Sequence, residues 1–278
     1  MKKVRFVFLV LIAITFFGIL LSKMNIFSVK FVDKQYSEEE KKENINSPSF
    51  DSDNDQYPEK ENVVSPFFDK LTYYALGDSI TFGADYKNEY QAMESPYPSL
   101  VSDLLNLKEC LNYAISGSTV AENVDNLPSI YAQACNVYNA DIISVMGGVN
   151  DYNRGVEIGS INDLTTDTFC GSLKSICEVL VKNNPNAFVF LMTPYKEHCY
   201  HEFECTKLNK AGYNLEDYAK AVKAVAELYN IPVLDMYNLG NFELEMYNAD
   251  SDGIHPSQEF IKEYTAPQIV EFIKQHYK

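Results

Sequence analysis

The stretch Thr72-Tyr73-Tyr74-Ala75-Leu76-Gly77-Asp78-Ser79-Ile80 joins an apolar run to a glycine and an Asp-Ser pair. The run Thr72–Leu76 has the length and composition of a buried β-strand. Gly77 and the two polar residues after it predict a turn at the carboxyl end of that strand, the edge where open α/β sheets bind ligands. The sequence therefore places the Ser79 hydroxyl at a ligand-binding edge. The plainer interpretation is a turn in which Asp78 or Ser79 only caps the next helix.

Strand-like and helix-like segments alternate along residues 71–278. The further predicted strands are Leu111–Ala114, Asp141–Met146, Ala187–Met192 and Ile231–Leu234. The predicted helices are Tyr97–Leu107, one within Val120–Tyr138 that is interrupted or starts near Pro128, Thr168–Asn183, Leu215–Tyr229, and Ser257–Tyr277 with a bend at Pro267. This alternation predicts a parallel sheet covered by helices on both faces.

Four further residues that could take part in catalysis follow predicted strands or precede the last helix. Gly117 and Asn150 follow the second and third strands, and Asp252 and His255 lie in the last loop. Each alone fits a chain reversal, a turn or a cap. A serine nucleophile, however, needs a base, and the base needs an orienting carboxylate. Asp252 lies three residues before His255, a spacing that a tight turn can close.

These motifs together resemble the SGNH hydrolase family, also called the GDSL lipases and esterases, over residues 71–278. The matching blocks are Gly77-Asp78-Ser79-Ile80, Gly117, Gly148-Val149-Asn150-Asp151 and Asp252-Gly253-Ile254-His255. Ile80 stands where the family has leucine. The resemblance implies a flavodoxin-like three-layer α/β/α sandwich with a central parallel sheet, and ester hydrolysis that uses no metal or other cofactor.

The resemblance also implies roles for the matching residues. Ser79 is the expected nucleophile, His255 the base and Asp252 the residue that orients it. The expected oxyanion-hole donors are the backbone N–H groups of Ser79 and Gly117 and the side-chain amide of Asn150. Asp151 belongs to the same block, but holding the loop is its expected task.

The chain divides into three predicted segments. Residues 1–27 combine a basic start with the uncharged run Phe6–Leu21, and no cleavage site is evident. We expect an uncleaved membrane anchor, with a cleaved signal peptide as the alternative. Residues 28–70 are polar and charged, which predicts a disordered linker. Residues 71–278 form the folded domain, which the positive-inside rule places outside the cytoplasm.

Charge excludes some partners. The chain carries a net charge of −16, and residues 71–278 contribute 13 cations and 28 acids, a net −15. A surface this acidic argues against binding to nucleic acid and against adhesion to anionic lipid. Any membrane contact is therefore expected through residues 6–27.

The six cysteines all lie in the predicted domain. Cys199 and Cys205 flank a short loop and are the easiest pair to bridge. Cys170 and Cys177 are expected on one helix, about 10 Å apart, beyond the reach of a disulfide. Zinc binding by His198, Cys199, His201 and Cys205 is an alternative, but their spacing fits no common zinc module. We therefore predict no metal site.

Substrate preference has thin support in the sequence. The segment Ala84–Gln91, directly after the expected nucleophile, is polar, where a long-chain lipase would need an apolar lid or groove. We expect the removal of small acyl groups such as acetyl from carbohydrate or cell-surface glycan. The alternatives are a lysophospholipase or general lipid esterase, and a non-catalytic glycan-binding surface module.

Overall fold

The structure is a computed structural model that describes residues 68–88, 90–196, 206–238 and 252–278. The predicted anchor and nearly all of the predicted linker lie outside the described residues. The same holds for the cluster between His198 and Cys205. In the described part of the chain, no helix has the length and apolar character needed to cross a bilayer.

A five-stranded parallel sheet forms the centre of the domain. Its strands are β1 (Thr72–Gly77), β4 (Glu109–Asn112), β5 (Ile142–Met146), β6 (Phe188–Met192) and β7 (Val233–Leu234). A separate two-stranded antiparallel hairpin consists of β2 (Ala84–Asp85) and β3 (Gln91–Ala92). The order across the main sheet is β4-β1-β5-β6-β7, all parallel. In this flavodoxin-like order, the chain direction across the sheet switches between β1 and β5, where ligands bind at the carboxyl edge.

Eight α-helical segments connect or flank the strands in the described residues. They are α1 (Ser79–Phe82), α2 (Tyr97–Leu105), α3 (Ile130–Ala134), α4 (Val149–Arg154), α5 (Phe169–Asn183), α6 (Leu215–Leu228), α7 (Gln258–Phe260) and α8 (Ala266–His276). Local sequence explains several helix starts. Thr168 caps α5 through its hydroxyl, and Asn214 and Asp217 form a reciprocal capping box at the start of α6.

Helices cover both faces of the sheet. Alternate strand residues such as Leu76 and Val145 face a cluster that includes α3, α5 and α6. The opposite residues, among them Tyr73 and Phe190, pack against α2 and α8. Because both faces are buried, the central strands are continuously apolar, and all five residues of β5 are buried. The α/β architecture with a central parallel sheet is therefore confirmed.

Three features differ from the sequence expectations or extend them. The edge strand β4 covers Glu109–Asn112 and not Leu111–Ala114. The last helix is interrupted by a π-helical turn, Ile261–Thr265, directly before the helix that carries Pro267 in its first turn. Proline has no N–H to donate, so the ladder changes register there. Phe68, within the predicted linker, is buried, and its ring centroid lies 5.9 Å from that of Tyr277.

Candidate active site

Ser79, His255 and Asp252 form a continuous hydrogen-bonded chain at the carboxyl edge of the sheet. The Nε2 atom of His255 lies 2.8 Å from Ser79 Oγ, and its Nδ1 atom lies 2.6 Å from Asp252 Oδ2. Ser79 and His255 are only 9 % and 8 % exposed. The structure thus brings together three side chains from the two ends of the domain, in the order that the sequence predicted.

A tight turn closes Asp252 onto His255. Asp252 Oδ1 accepts hydrogen bonds from the backbone N–H groups of Ile254 (3.0 Å) and His255 (2.9 Å), which leaves Oδ2 for the imidazole ring. Gly253 provides the turn with a φ of +76°. Burial raises the pKa of Asp252, but the hydrogen bonds and the charge of His255 outweigh burial and hold that pKa below its ordinary value. Asp252 is therefore the ionised partner of the ring.

Gly77 and Asp78 shape the turn that presents Ser79. A Cβ on Gly77 would lie 2.1 Å from Thr81 Oγ1, so a larger residue would collide with α1. Asp78 caps α1, since its Oδ1 accepts from Ile80 N at 3.0 Å. The two interpretations of this stretch are thus compatible, because capping by Asp78 leaves the Ser79 hydroxyl on His255. Burial raises the pKa of Asp78 to about 6.

The three predicted oxyanion donors surround the same edge. Ser79 is the first residue of α1, where backbone N–H groups have no intrahelical acceptor. Gly117 has a φ of +81°, and a Cβ there would meet no atom within 4 Å. Backbone conformation, and not close packing, therefore favours glycine at this position. Asn150, in the first turn of α4, donates one amide hydrogen to Ser118 O at 3.0 Å, which leaves its second hydrogen for another acceptor.

Asp151 holds the loop after Gly117, as expected. Its two carboxyl oxygens accept from Val120 N at 2.9 Å and from Ala121 N at 3.0 Å. The side chain is completely buried, and burial raises the pKa of Asp151 to about 7. Asp151 therefore anchors residues 117–121, which begin with Gly117 and which we call the oxyanion segment.

Sequence reasoning missed two residues of the site. Gln133 on α3 binds the backbone of Gly77 and the hydroxyl of Ser118. Tyr90 places its ring edge-on to the His255 ring, with centroids 5.5 Å apart. No motif marks either residue. The only signal for Tyr90 was its place in the polar segment that follows the expected nucleophile.

A cavity of about 180 Å³ lies next to Pro256, the residue that follows His255. Residues 85–87 and Met93 of the hairpin line one wall, and residues 256–259, which lead from His255 into α7, line the other. Tyr90, at the end of this hairpin, is 53 % exposed and has a φ of +58°. A bulky residue in the left-handed region is uncommon, and such strain concentrates at functional sites.

Four cysteines fall in the described residues and none of them forms a disulfide there: Cys110, Cys135, Cys170 and Cys177. Cys170 and Cys177 both lie on α5, the single helix on which the sequence placed them. Burial raises the pKa of the Cys177 thiol to about 12. These two thiols are core residues and not part of the site.

Comparison with known proteins agrees with this geometry. Residues 75–260 match the model of the GDSL-like Lipase/Acylhydrolase family. No curated protein matches the sequence. Among solved structures, a protein from Lactobacillus plantarum is 24 % identical with a TM-score of 0.63, covering 75 % of this chain and 98 % of its own.

Two further solved structures are similar in fold. A possible lipase from Chitinophaga pinensis is 23 % identical with a TM-score of 0.59, covering 74 % of this chain and 98 % of its own. A carbohydrate acetylesterase family member from Sinorhizobium meliloti is 17 % identical with a TM-score of 0.50, covering 74 % and 98 %. At these identities the likeness concerns the fold. The family match spans most of the domain, and the chain therefore belongs to the GDSL-like lipase/acylhydrolase family of ester hydrolases.

Proposed function

We propose that this protein is a serine esterase that removes small acyl groups, chiefly acetyl, from carbohydrate. The observation that carries the proposal is the hydrogen-bonded chain from Ser79 Oγ through the His255 ring to the Asp252 carboxylate. A serine hydroxyl beside an oriented imidazole can become a nucleophile at neutral pH. The family match supplies the reaction class, ester hydrolysis.

In the first half of the proposed reaction, Ser79 Oγ attacks the acyl carbonyl carbon and His255 Nε2 takes the hydroxyl proton. The electron pair of the carbonyl bond moves to oxygen, where Gly117 N–H, Ser79 N–H and the free Asn150 amide hydrogen are the available donors. Collapse of this intermediate breaks the bond to the alcohol oxygen, which receives the proton from His255. Water then repeats the sequence on the acyl-enzyme and releases the acid.

Asp252 contributes through the ring. Its Oδ2 fixes the proton on His255 Nδ1, so that Nε2 is the atom that faces Ser79. Since its pKa is held below the ordinary value, Asp252 stays ionised and stabilises the imidazolium formed during attack. The backbone hydrogen bonds within the turn prevent the carboxylate from rotating away.

The surroundings of His255 support a hydrophilic alcohol as the leaving group. The cavity near this residue is lined by Asp85, Lys87 and Glu259 as well as by Met93 and Pro256, and its charged groups suit hydroxyl-rich ligands better than acyl chains. The exposed Tyr90 ring next to His255 offers an apolar face of the kind on which sugar rings pack. The Sinorhizobium meliloti relative, described as a carbohydrate acetylesterase family member, agrees with this substrate class.

The proposal includes a location. Residues 6–27 hold the protein in the membrane, and the catalytic domain lies outside the cytoplasm. The basis is the Lys2-Lys3-Arg5 flank before the uncharged run Phe6–Leu21. A polar spacer over residues 28–67 would reach roughly 35 Å as a random coil, enough to clear the lipid head groups. Mass spectrometry of the mature amino terminus tests this, since a new terminus between residues 20 and 35 would show a cleaved signal peptide.

A substrate panel tests the activity. We expect hydrolysis of p-nitrophenyl acetate to exceed that of the octanoate, together with acetate release from acetylated polysaccharide. EDTA should leave both rates unchanged, and Ser79→Ala should abolish both while keeping the folded-state circular dichroism. A preference for long acyl chains or for lysophospholipid would favour a lipid esterase. Glycan binding without hydrolysis of any ester would favour a non-catalytic surface module.

A further inference from the structure

Among the described residues, the main sheet lacks a pairing strand on one side of the turn Gly77–Ser79, which we call the nucleophile turn. Strand β1 pairs with β5 as far as Gly77 opposite Met146, but its pairing with β4 ends at Ala75 opposite Asn112. Ala75 O accepts from Tyr113 N at 2.8 Å on the β4 side. Gly77, two residues further along, presents its peptide groups to the same side, because backbone direction alternates along a strand. Beyond that point Gly77 O still accepts from Ile115 N at 3.3 Å, but in the described contacts no backbone carbonyl accepts the Gly77 N–H.

Gln133 takes the place of the missing strand. Its Oε1 accepts from Gly77 N at 3.0 Å, and its Nε2 donates to Gly77 O at 2.9 Å. A carboxamide has the same donor and acceptor as a peptide unit, so it can continue the ladder. The fixed polarity of the backbone also determines which amide atom is oxygen and which is nitrogen. Gln133 is 4 % exposed and uses its acceptor and both amide hydrogens.

The same amide reaches the oxyanion segment. The second hydrogen of Gln133 Nε2 binds Ser118 Oγ at 3.0 Å. Ser118 follows Gly117, and its carbonyl oxygen accepts the amide of Asn150 at 3.0 Å. One side chain therefore connects the backbone two residues before Ser79 with Ser118, which follows one proposed oxyanion donor, Gly117, and accepts the amide of another, Asn150.

We propose that Gln133 is a positioning residue that fixes the distance between the nucleophile turn and the oxyanion donors. Because its amide accepts the Gly77 N–H in place of a strand, the chain after Ile115 can leave the sheet toward Gly117 while both peptide groups of Gly77 stay hydrogen bonded. The effect on turnover rests on the proposed esterase function, whereas the effect on the segment itself does not. Oxyanion donors act only when they are aligned before the reaction, so their displacement should lower kcat and not substrate binding.

Two variants test the role, each against a matched control. Gln133→Met keeps the length of the side chain and removes all three hydrogen bonds, and should lower kcat for p-nitrophenyl acetate by about 10- to 100-fold with KM changed less than about threefold. Ser118→Ala removes only the bond between Ser118 and Gln133 and should lower kcat by roughly 3- to 10-fold. Ser129→Ala removes the cap of the same helix, where Ser129 Oγ accepts from Ala132 N, and should leave kcat unchanged.

Hydrogen exchange followed by mass spectrometry measures positioning independently of activity. Peptides covering residues 113–121 should exchange about tenfold faster in Gln133→Met than in wild type, and at wild-type rates in Ser129→Ala. Unchanged exchange, or faster exchange with unchanged kcat, would overturn the proposal. If Gln133→Met does not fold, Ser118→Ala decides by the same two measurements. If the wild-type protein hydrolyses no ester, the proposed esterase function is wrong. The exchange result would still show whether Gln133 holds residues 113–121 in place.

Discussion

The two sides of Ser79 are built in different ways. On the oxyanion side, the side chains of Gln133, Asp151 and Ser118 are at most 4 % exposed, and all three are hydrogen bonded within the protein. On the hairpin side, Tyr90 is 53 % exposed and contacts His255 only through ring packing. The oxyanion side is buried and hydrogen bonded, whereas the hairpin side is exposed.

This difference matches the two parts of an ester that the proposed reaction must accommodate, the acyl carbonyl and the alcohol. Charge develops at the same place in every ester, so its donors must be held in advance of the reaction, and buried hydrogen bonds achieve this. The alcohol differs from one ester to another, and exposed segments on a rigid scaffold can vary with it. The comparison predicts that changes on the oxyanion side lower kcat for all substrates, and that changes on the hairpin side alter the choice of substrate.

The largest effects are expected where both sides meet, at His255 and Asp252. His255→Ala removes the proposed base for both proton transfers and should lower kcat by at least about 10⁴-fold. Asp252→Ala leaves the imidazole in place and should cost about 10 to 100 times less than His255→Ala. Steady-state kinetics on p-nitrophenyl acetate measures both. Equal losses, or a greater loss for Asp252→Ala, would contradict the assigned roles.

A smaller loss is expected for Asn150 on the oxyanion side. Asn150→Ala removes a side-chain donor and should lower kcat by about 100- to 1000-fold, by a similar factor for each ester tested. Asn136→Ala is a suitable control, since Asn136 is an exposed residue of the neighbouring helix end and its side chain bonds only to Ala132 O in the described contacts. A loss that depended strongly on the alcohol would place Asn150 in substrate selection and break the comparison.

On the hairpin side, Tyr90→Ala should act on substrate choice. We expect KM for an acetylated sugar to rise roughly 3- to 10-fold, as the loss of one aromatic contact predicts, and kcat for p-nitrophenyl acetate to change less than about twofold. Tyr90→Phe keeps the ring and should match wild type on both substrates. A large drop in kcat for both esters would show that the hairpin serves the chemistry itself.

The smallest effect concerns stability. Burial raises the pKa of Asp78 from 3.8 to about 6, so this group favours the folded state most below pH 4 and loses that contribution as pH rises through 6. Asp78→Asn keeps the cap on Ile80 N without the buried charge. The unfolding free energy of the variant, relative to wild type, should therefore increase by about 1–2 kcal/mol between pH 5 and pH 8. Urea titrations of the variant and the wild type at both pH values measure this difference.

The sequence predicted the central strands because burial on both faces leaves a clear apolar signal, as in Ile142–Met146. The edge strand β4 was misplaced by two residues, since its side chains are mostly exposed and carry little pattern. Its end is set by Asn112, whose Oδ1 accepts from Ala114 N and whose Nδ2 binds Thr81 O. Side-chain hydrogen bonds between distant segments produce no periodic pattern in the sequence.

The residues of the site likewise divide into those that the sequence could predict and those that it could not. Ser79, Asp252 and His255 could be found because each lies in a short motif with fixed spacing. Gln133 could not, since its partners Gly77 and Ser118 lie 56 and 15 positions away, on other elements. The left-handed backbone of Tyr90 is likewise invisible in the sequence, because tyrosine has no preference for that conformation.

The most direct test of the central claim is to label the protein with a fluorophosphonate and locate the modification by peptide mass spectrometry. The reagent forms a bond to an activated serine oxygen and releases fluoride. The account predicts one modified residue, Ser79, with labelling abolished in Ser79→Ala and greatly slowed in His255→Ala. Labelling of another serine, or continued ester hydrolysis with Ser79 unmodified, would contradict it.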